Sequence, residues 1–160
     1  MSRKTVGSME ESEQSSSLDI RGLPVHLKSL RSVLREAAVR TLHEHSVRSY
    51  SVSISFVSNS EIAQINKRCL NRAGPTDVIA FDLSEDGLPI ERVGDIYISI
   101  ETALENSGRY GVGEGEELLR LVVHGMLHVL GYADDVPSER SRMNRTQERI
   151  VKRFSSNLKC

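Results

Sequence analysis

The chain has no tryptophan, and phenylalanine and tyrosine together supply only 4% of its 160 residues. Large rings therefore do not fill its interior, and the core must be small and aliphatic, made of Leu, Ile and Val. Cysteine is scarce too. Cys69 and Cys160 are too few and too scattered for a disulfide framework and form no C-x₂-C pair. A reducing cytoplasm is the simplest setting. Neither charge is in excess: 21 Lys and Arg face 22 Asp and Glu, a formal net charge of -1. Global charge thus does not announce a nucleic-acid binder, although a local basic groove stays open. No apolar run approaches the length of a membrane span. Arg3 and Lys4 are followed by no apolar stretch, so no secretory signal is expected. The length fits one domain plus a tail.

What the chain does have is concentrated in residues 119–134, LRLVVHGMLHVLGYAD. His124 and His128 lie four apart in an apolar run that reads as helix, which stacks them on one face. Two imidazoles so placed converge on one metal ion in helical zinc sites. Gly131 follows three residues later, and glycine ends helices readily because it adopts the left-handed conformation. A reversal there swings Asp134 back toward the rings. The alternative is a pair of core histidines hydrogen-bonded to other groups, since two buried imidazoles without partners would be costly.

Around this motif the chain reads as follows. Residues 1–18 contain six serines and almost no large apolar side chains, and are expected to be a disordered tail. Residues 19–160 then form one domain. Pro24 opens a helix running to about Glu44, with Leu27, Leu30, Leu34, Ala37, Ala38 and Leu42 as its apolar stripe. His26, His43 and His45 are read as solvated surface residues. Residues 51–57 alternate Ser with Val, Ile and Phe, a strand with one covered face. Ser58 and Glu61 form a capping box for a short helix, and residues 68–75 are a loop. Strands follow at 77–83 and 94–100, flanking a connection that includes an acidic turn at 84–89 and suits a long hairpin. Helices are expected at 101–109, 116–130 and 137–154, with a flexible hinge at 111–115. The class is α+β: a small mixed sheet, with helices packed on one side and the HxxxH helix at the centre.

A metal held by His124, His128 and Asp134 keeps an open coordination position, where it acidifies water and polarises a phosphoryl or carbonyl oxygen. Two imidazoles and a carboxylate suit zinc; nickel and manganese stay compatible by ligand type. Zinc peptidases of the H-E-x-x-H kind carry a glutamate directly after the first histidine, and here that residue is Gly125. Peptide hydrolysis loses its base. RNA cleavage loses less, because RNA brings its own 2′-hydroxyl. Arg120 lies one turn before His124 and reaches either a phosphate or a surface ion pair. Thr76 and Asp77 either orient the site or start a strand, and Asp95 is a turn or site residue. Arg140, Arg142, Arg145, Arg149, Lys152 and Arg153 make the last helix either a backbone-tracking surface or a solvated face.

Three blocks, HGMLHVLGY at 124–132, PTDVIAF at 75–81 and GDIYIS at 94–99, resemble the YbeY family of metal-dependent endoribonucleases. The resemblance implies one zinc ion and no organic cofactor. It also implies cytoplasmic cleavage of single-stranded RNA, maturation of the 16S ribosomal RNA 3′ end and ribosome quality control. Ribosomal RNA and ribosomal particles are the partners it implies, with no membrane. Many members read H-G-x-L-H-L-x-G-Y-D-H; this chain has Ala133 and Asp134 where they have Asp and His. Asp135 lies one residue out of register. An arginine thought to contact RNA in the family falls at Leu70, so Arg68 or Arg72 stands in for it or the contact is lost. Three other readings stay open. One is a metallopeptidase-like hydrolase using Asp135 or Glu139 as base. Another is a non-catalytic ribosome-assembly factor with a structural metal. The last is a metal-free RNA-binding module.

Overall fold

Strict alternation of serine with Val, Ile and Phe gives the central strand β2 (Tyr50–Val57), whose Val52, Ile54 and Phe56 are buried and whose serines are half-exposed. The computed structural model describes residues 16–85 and 91–158. On one side of β2 runs β1 (Ser17–Arg21), parallel to it; on the other runs β4 (Arg92–Ser99), also parallel. Antiparallel to β4 lies β3 (Val78–Asp82). The sheet order β1-β2-β4-β3 leaves β1 and β3 as its edges.

The first strand was not foreseen. Ser17 and Leu18 belong to it, two residues inside the stretch read as tail, and Leu18 and Ile20 are buried. Two apolar residues after a run of serines give no readable period; only pairing with β2 supplies their partner. Residues 1–15, where most of that tail falls, lie outside the described residues, as does most of the expected turn at 84–89.

The expected first helix is two pieces, a 3-10 helix at Val25–Leu30 and α1 (Arg31–Glu44). Its predicted apolar stripe is buried throughout. The foreseen capping box opens α2 (Asn59–Leu70) through Ser58 and Glu61. This helix borders Ser55 and Tyr97, which alternate away from the core, so the helices are not all on one face. Ser99 caps α3 (Ile100–Tyr110), and Gly111 and Gly113 bracket a short link to α4 (Glu114–Val129). The chain ends in α5 (Pro137–Ser155) and a short 3-10 turn.

The core is organised around α4, which touches α1, α3, α5, β3 and β4 and buries ten of its sixteen residues. Two glycines set its distance from the sheet. A Cβ on Gly125 would lie 2.7 Å from a side-chain carbon of Ile96, and one on Gly94 would lie 2.7 Å from Val129. With neither present, helix and strand β4 approach closely. Gly125 therefore occupies the position of the peptidase glutamate for a packing reason.

Candidate metal centre

One turn of α4 separates His124 from His128, and their Nε2 atoms come to 3.1 Å of each other. The helix ends as the sequence implied. Gly131 takes φ +95°, and the Tyr132 N–H donates back to the Leu127 carbonyl at 3.0 Å. The reversal brings Asp134 Oδ2 to 3.4 Å from His128 Nε2. One donor atom from each of the three residues falls within 4.8 Å of the other two.

The far side of each ring decides what this cluster can hold. His124 Nδ1–H donates to Gln147 Oε1 at 2.7 Å, and the Gln147 amide is oriented by donating its Nε2–H to Glu148. His128 Nδ1–H donates to the Tyr132 carbonyl at 3.1 Å. Carbonyl oxygens only accept, so Nδ1 carries a proton on both rings, and in the neutral imidazole each Nε2 presents a lone pair. With both rings neutral, two lone pairs and a carboxylate converge on one point. A cation relieves that repulsion, and the donor set is one that zinc takes. Burial holds the His124 imidazole below the usual histidine range, with the Gln147 hydrogen bond opposing it, so the ring favours its neutral form.

The three side chains open onto a cavity of about 520 Å³, walled by the loop at residues 70–77, the edge strand β3 and α4. Arg72 lines it, and so does Leu70. Thr76 and Asp77 line it too; the Asp77 carboxylate accepts the Val78 N–H at 2.8 Å and adds negative charge near His124. The other sequence candidates sit elsewhere. Arg68 borders a separate cavity with Arg21 and Tyr97. Arg120 is held by Glu148 at 2.8 Å and Glu117 at 3.3 Å, the ion-pair reading of that residue. Asp95 accepts a hydrogen bond from Ser53 at 2.7 Å across the sheet.

Sequence reasoning missed the supports. His45 is half-buried rather than solvated: its Nδ1–H donates to the Thr41 carbonyl at 2.7 Å, and its Nε2 accepts the Tyr132 hydroxyl at 2.8 Å. The Arg142 guanidinium lies 4.7 Å from the centre of the same Tyr132 ring, and Arg140 Nε–H donates to the Asp134 carbonyl at 2.8 Å. The basic face of α5 thus partly serves to hold the ligand loop. Gln147 had left a trace in the sequence, as a polar residue within the stripe of Met143, Ile150, Val151 and Phe154.

A mixed sheet over a central helix that presents two imidazoles and a carboxylate to one point is a build that could hold one metal ion, as in single-metal hydrolases. The model of the family described as endoribonuclease YbeY matches residues 18–155, and the chain belongs to that family. It is similar to the endoribonuclease YbeY of Caldanaerobacter subterraneus subsp. tengcongensis, 35% identical over 150 residues that cover 86% of this chain and 95% of that one. It is likewise similar to that of Chlorobium phaeobacteroides, 37% identical over 123 residues covering 77% and 84%. Among solved structures it resembles the solution structure of TM1509 from Thermotoga maritima. The TM-score is 0.56 and the identity 25%, with 88% of this chain and 93% of that one covered.

Proposed function

We propose that this protein is a zinc-dependent endoribonuclease that cuts single-stranded ribosomal RNA in the cytoplasm, acting at the 3′ end of 16S ribosomal RNA and on defective ribosomal particles. The observation that carries the metal assignment is that both Nδ1 atoms are engaged by carbonyl oxygens, which leaves the two Nε2 atoms and the Asp134 carboxylate aimed at one point. The relatives' name carries the substrate class.

When bound, a divalent cation supplies Lewis acidity, which activates the attacking group and neutralises charge developing on the phosphodiester. The chain's own residues do the rest. His124, His128 and Asp134 hold the ion, while Gln147 and the Tyr132 carbonyl keep both imidazoles in the ligand tautomer. Arg72, on the cavity wall, takes the charge of a phosphate and fills the role the family gives to the position of Leu70. No glutamate follows His124, so the peptidase base is missing, whereas RNA carries an internal nucleophile in its 2′-hydroxyl.

Elemental analysis of the purified protein is expected to give about one zinc per chain, and His128→Ala to abolish it. The zinc-loaded protein should cleave single-stranded RNA, and chelation or His124→Ala should stop it. Cleavage of casein without cleavage of RNA would overturn the reading in favour of a peptidase.

A further inference from the structure

The cavity has one wall whose chemistry the metal centre does not use, the outer edge of β3. Sheet order places β3 last, and among the described residues no strand lies beyond it. Its ladder to β4 is fixed by two bonds, Ser99 N–H to the Asp77 carbonyl at 2.9 Å and Leu83 N–H to the Val93 carbonyl at 2.8 Å. Antiparallel pairing alternates with a period of two, so Asp77, Ile79, Phe81 and Leu83 point their backbone groups at β4. Val78, Ala80 and Asp82 point theirs outward. The Val78 N–H is already taken by the Asp77 carboxylate at 2.8 Å. Ala80 is left presenting a donor and an acceptor side by side, with no partner for either among the described residues, in the same cavity as His124, His128, Asp134 and Arg72.

We propose that Ala80 reads unpaired nucleobases through its backbone: its outward N–H and C=O take the Watson–Crick edge of a base on the strand whose phosphodiester lies at the metal centre. This rests on the endoribonuclease reading above and adds the source of its strand selectivity. Each of the four bases carries an adjacent donor and acceptor on that edge: N6–H and N1 in adenine, N4–H and N3 in cytosine, N1–H and O6 in guanine, N3–H and O4 in uracil. An extended residue offers the complementary pair to all of them. Recognition is therefore tolerant of sequence and intolerant of base pairing, because a paired base has that edge occupied. Side chains contribute little here, since those of Val78 and Ala80 turn to the α4 side of the sheet with Ile98 and Ile96. The selectivity lies in main-chain atoms and leaves no motif in the sequence.

The test uses the zinc-loaded full chain with two short single-stranded RNAs, oligouridine and the same oligomer methylated at N3 of every uracil. Binding is followed by fluorescence anisotropy and cleavage by gel. Methylation deletes the N3–H donor, and the added methyl holds O4 away from the Ala80 N–H, so both bonds are lost; binding is expected to weaken and KM to rise about ten-fold, with kcat little changed. Ala80→Pro removes the outward N–H at an edge position that tolerates proline. It keeps the outward carbonyl, so it should bind oligouridine more weakly than the wild type, lose less on methylation than the wild type does, and retain one zinc per chain. Should the proline variant not fold, the methylation comparison on the wild type decides alone. Equal binding and cleavage of both oligomers by the wild type would overturn base reading and leave the nuclease standing. Failure to cleave any RNA would overturn both. Displacement of RNA by an extended peptide that is itself cleaved would assign the edge to peptide instead.

Discussion

Gln147 lies 23 residues beyond His124 on a different helix, yet it decides which nitrogen of that ring carries the proton. Gln147→Leu keeps the side chain's bulk and deletes the acceptor. Zinc affinity should fall between about ten- and a hundred-fold, read by competition with a chromophoric chelator, while the thermal transition moves little. The spacing of His124, His128 and Asp134 was legible in the sequence because helix geometry and one left-handed glycine fix where three nearby side chains go. Gln147 and His45 were not, because each meets the centre only after separate elements have packed. His45 is 87 residues from the Tyr132 hydroxyl it accepts. A histidine at a helix end carries no sign of that partner, and it was misread as solvated for that reason.

At the scale of elements, α4 is held by closeness to the sheet below and by α5 beside it. Gly125→Ala would force a methyl group against buried Ile96, a small-to-large change worth about 1–3 kcal/mol of destabilisation by urea denaturation. The helix α5 is also tied to α1, through Arg149 and Glu44 at 2.9 Å. The Arg149 hydrogen bond holds the Glu44 carboxyl below its usual range against the opposing effect of burial, with Arg40 assisting. A carboxyl depressed in the fold contributes stability above its unfolded pKa and loses it as pH falls through the folded value. Arg149→Ala should therefore be less stable than the wild type at neutral pH, and the gap should close as urea titrations are carried into acid. Among the elements, the long periodic ones were readable, and β2, α4 and α5 lie close to where periodicity put them. The five residues of β1 and the 3-10 turn ahead of α1 were not, because a short segment takes its conformation from its neighbours.

For the molecule as a whole, the core and the candidate metal centre are separable. A continuous hydrophobic cluster runs from Leu18 in β1 to Phe154 in α5, and His124, His128 and Asp134 lie at its margin rather than inside it. Chelation should abolish RNA cleavage while a cooperative thermal transition persists, lowered only by the loss of ligand linkage. Collapse of the far-UV circular dichroism on adding chelator would instead indicate a metal whose task is folding. The mixed α+β class followed from the irregular succession of helices and strands. The strand order did not, since a parallel β1 beside β2 depends on a crossover that no local pattern records.

That crossover has a further effect. Because β1 shields the flank of β2, proteolytic nicking or shortening past Ile20 would strip a row of main-chain hydrogen-bonding groups bare along the middle of the sheet. Such a fragment would keep its ion-binding residues yet invite a second molecule to zip onto the exposed flank, and self-association, rather than lost chemistry, would be its first symptom.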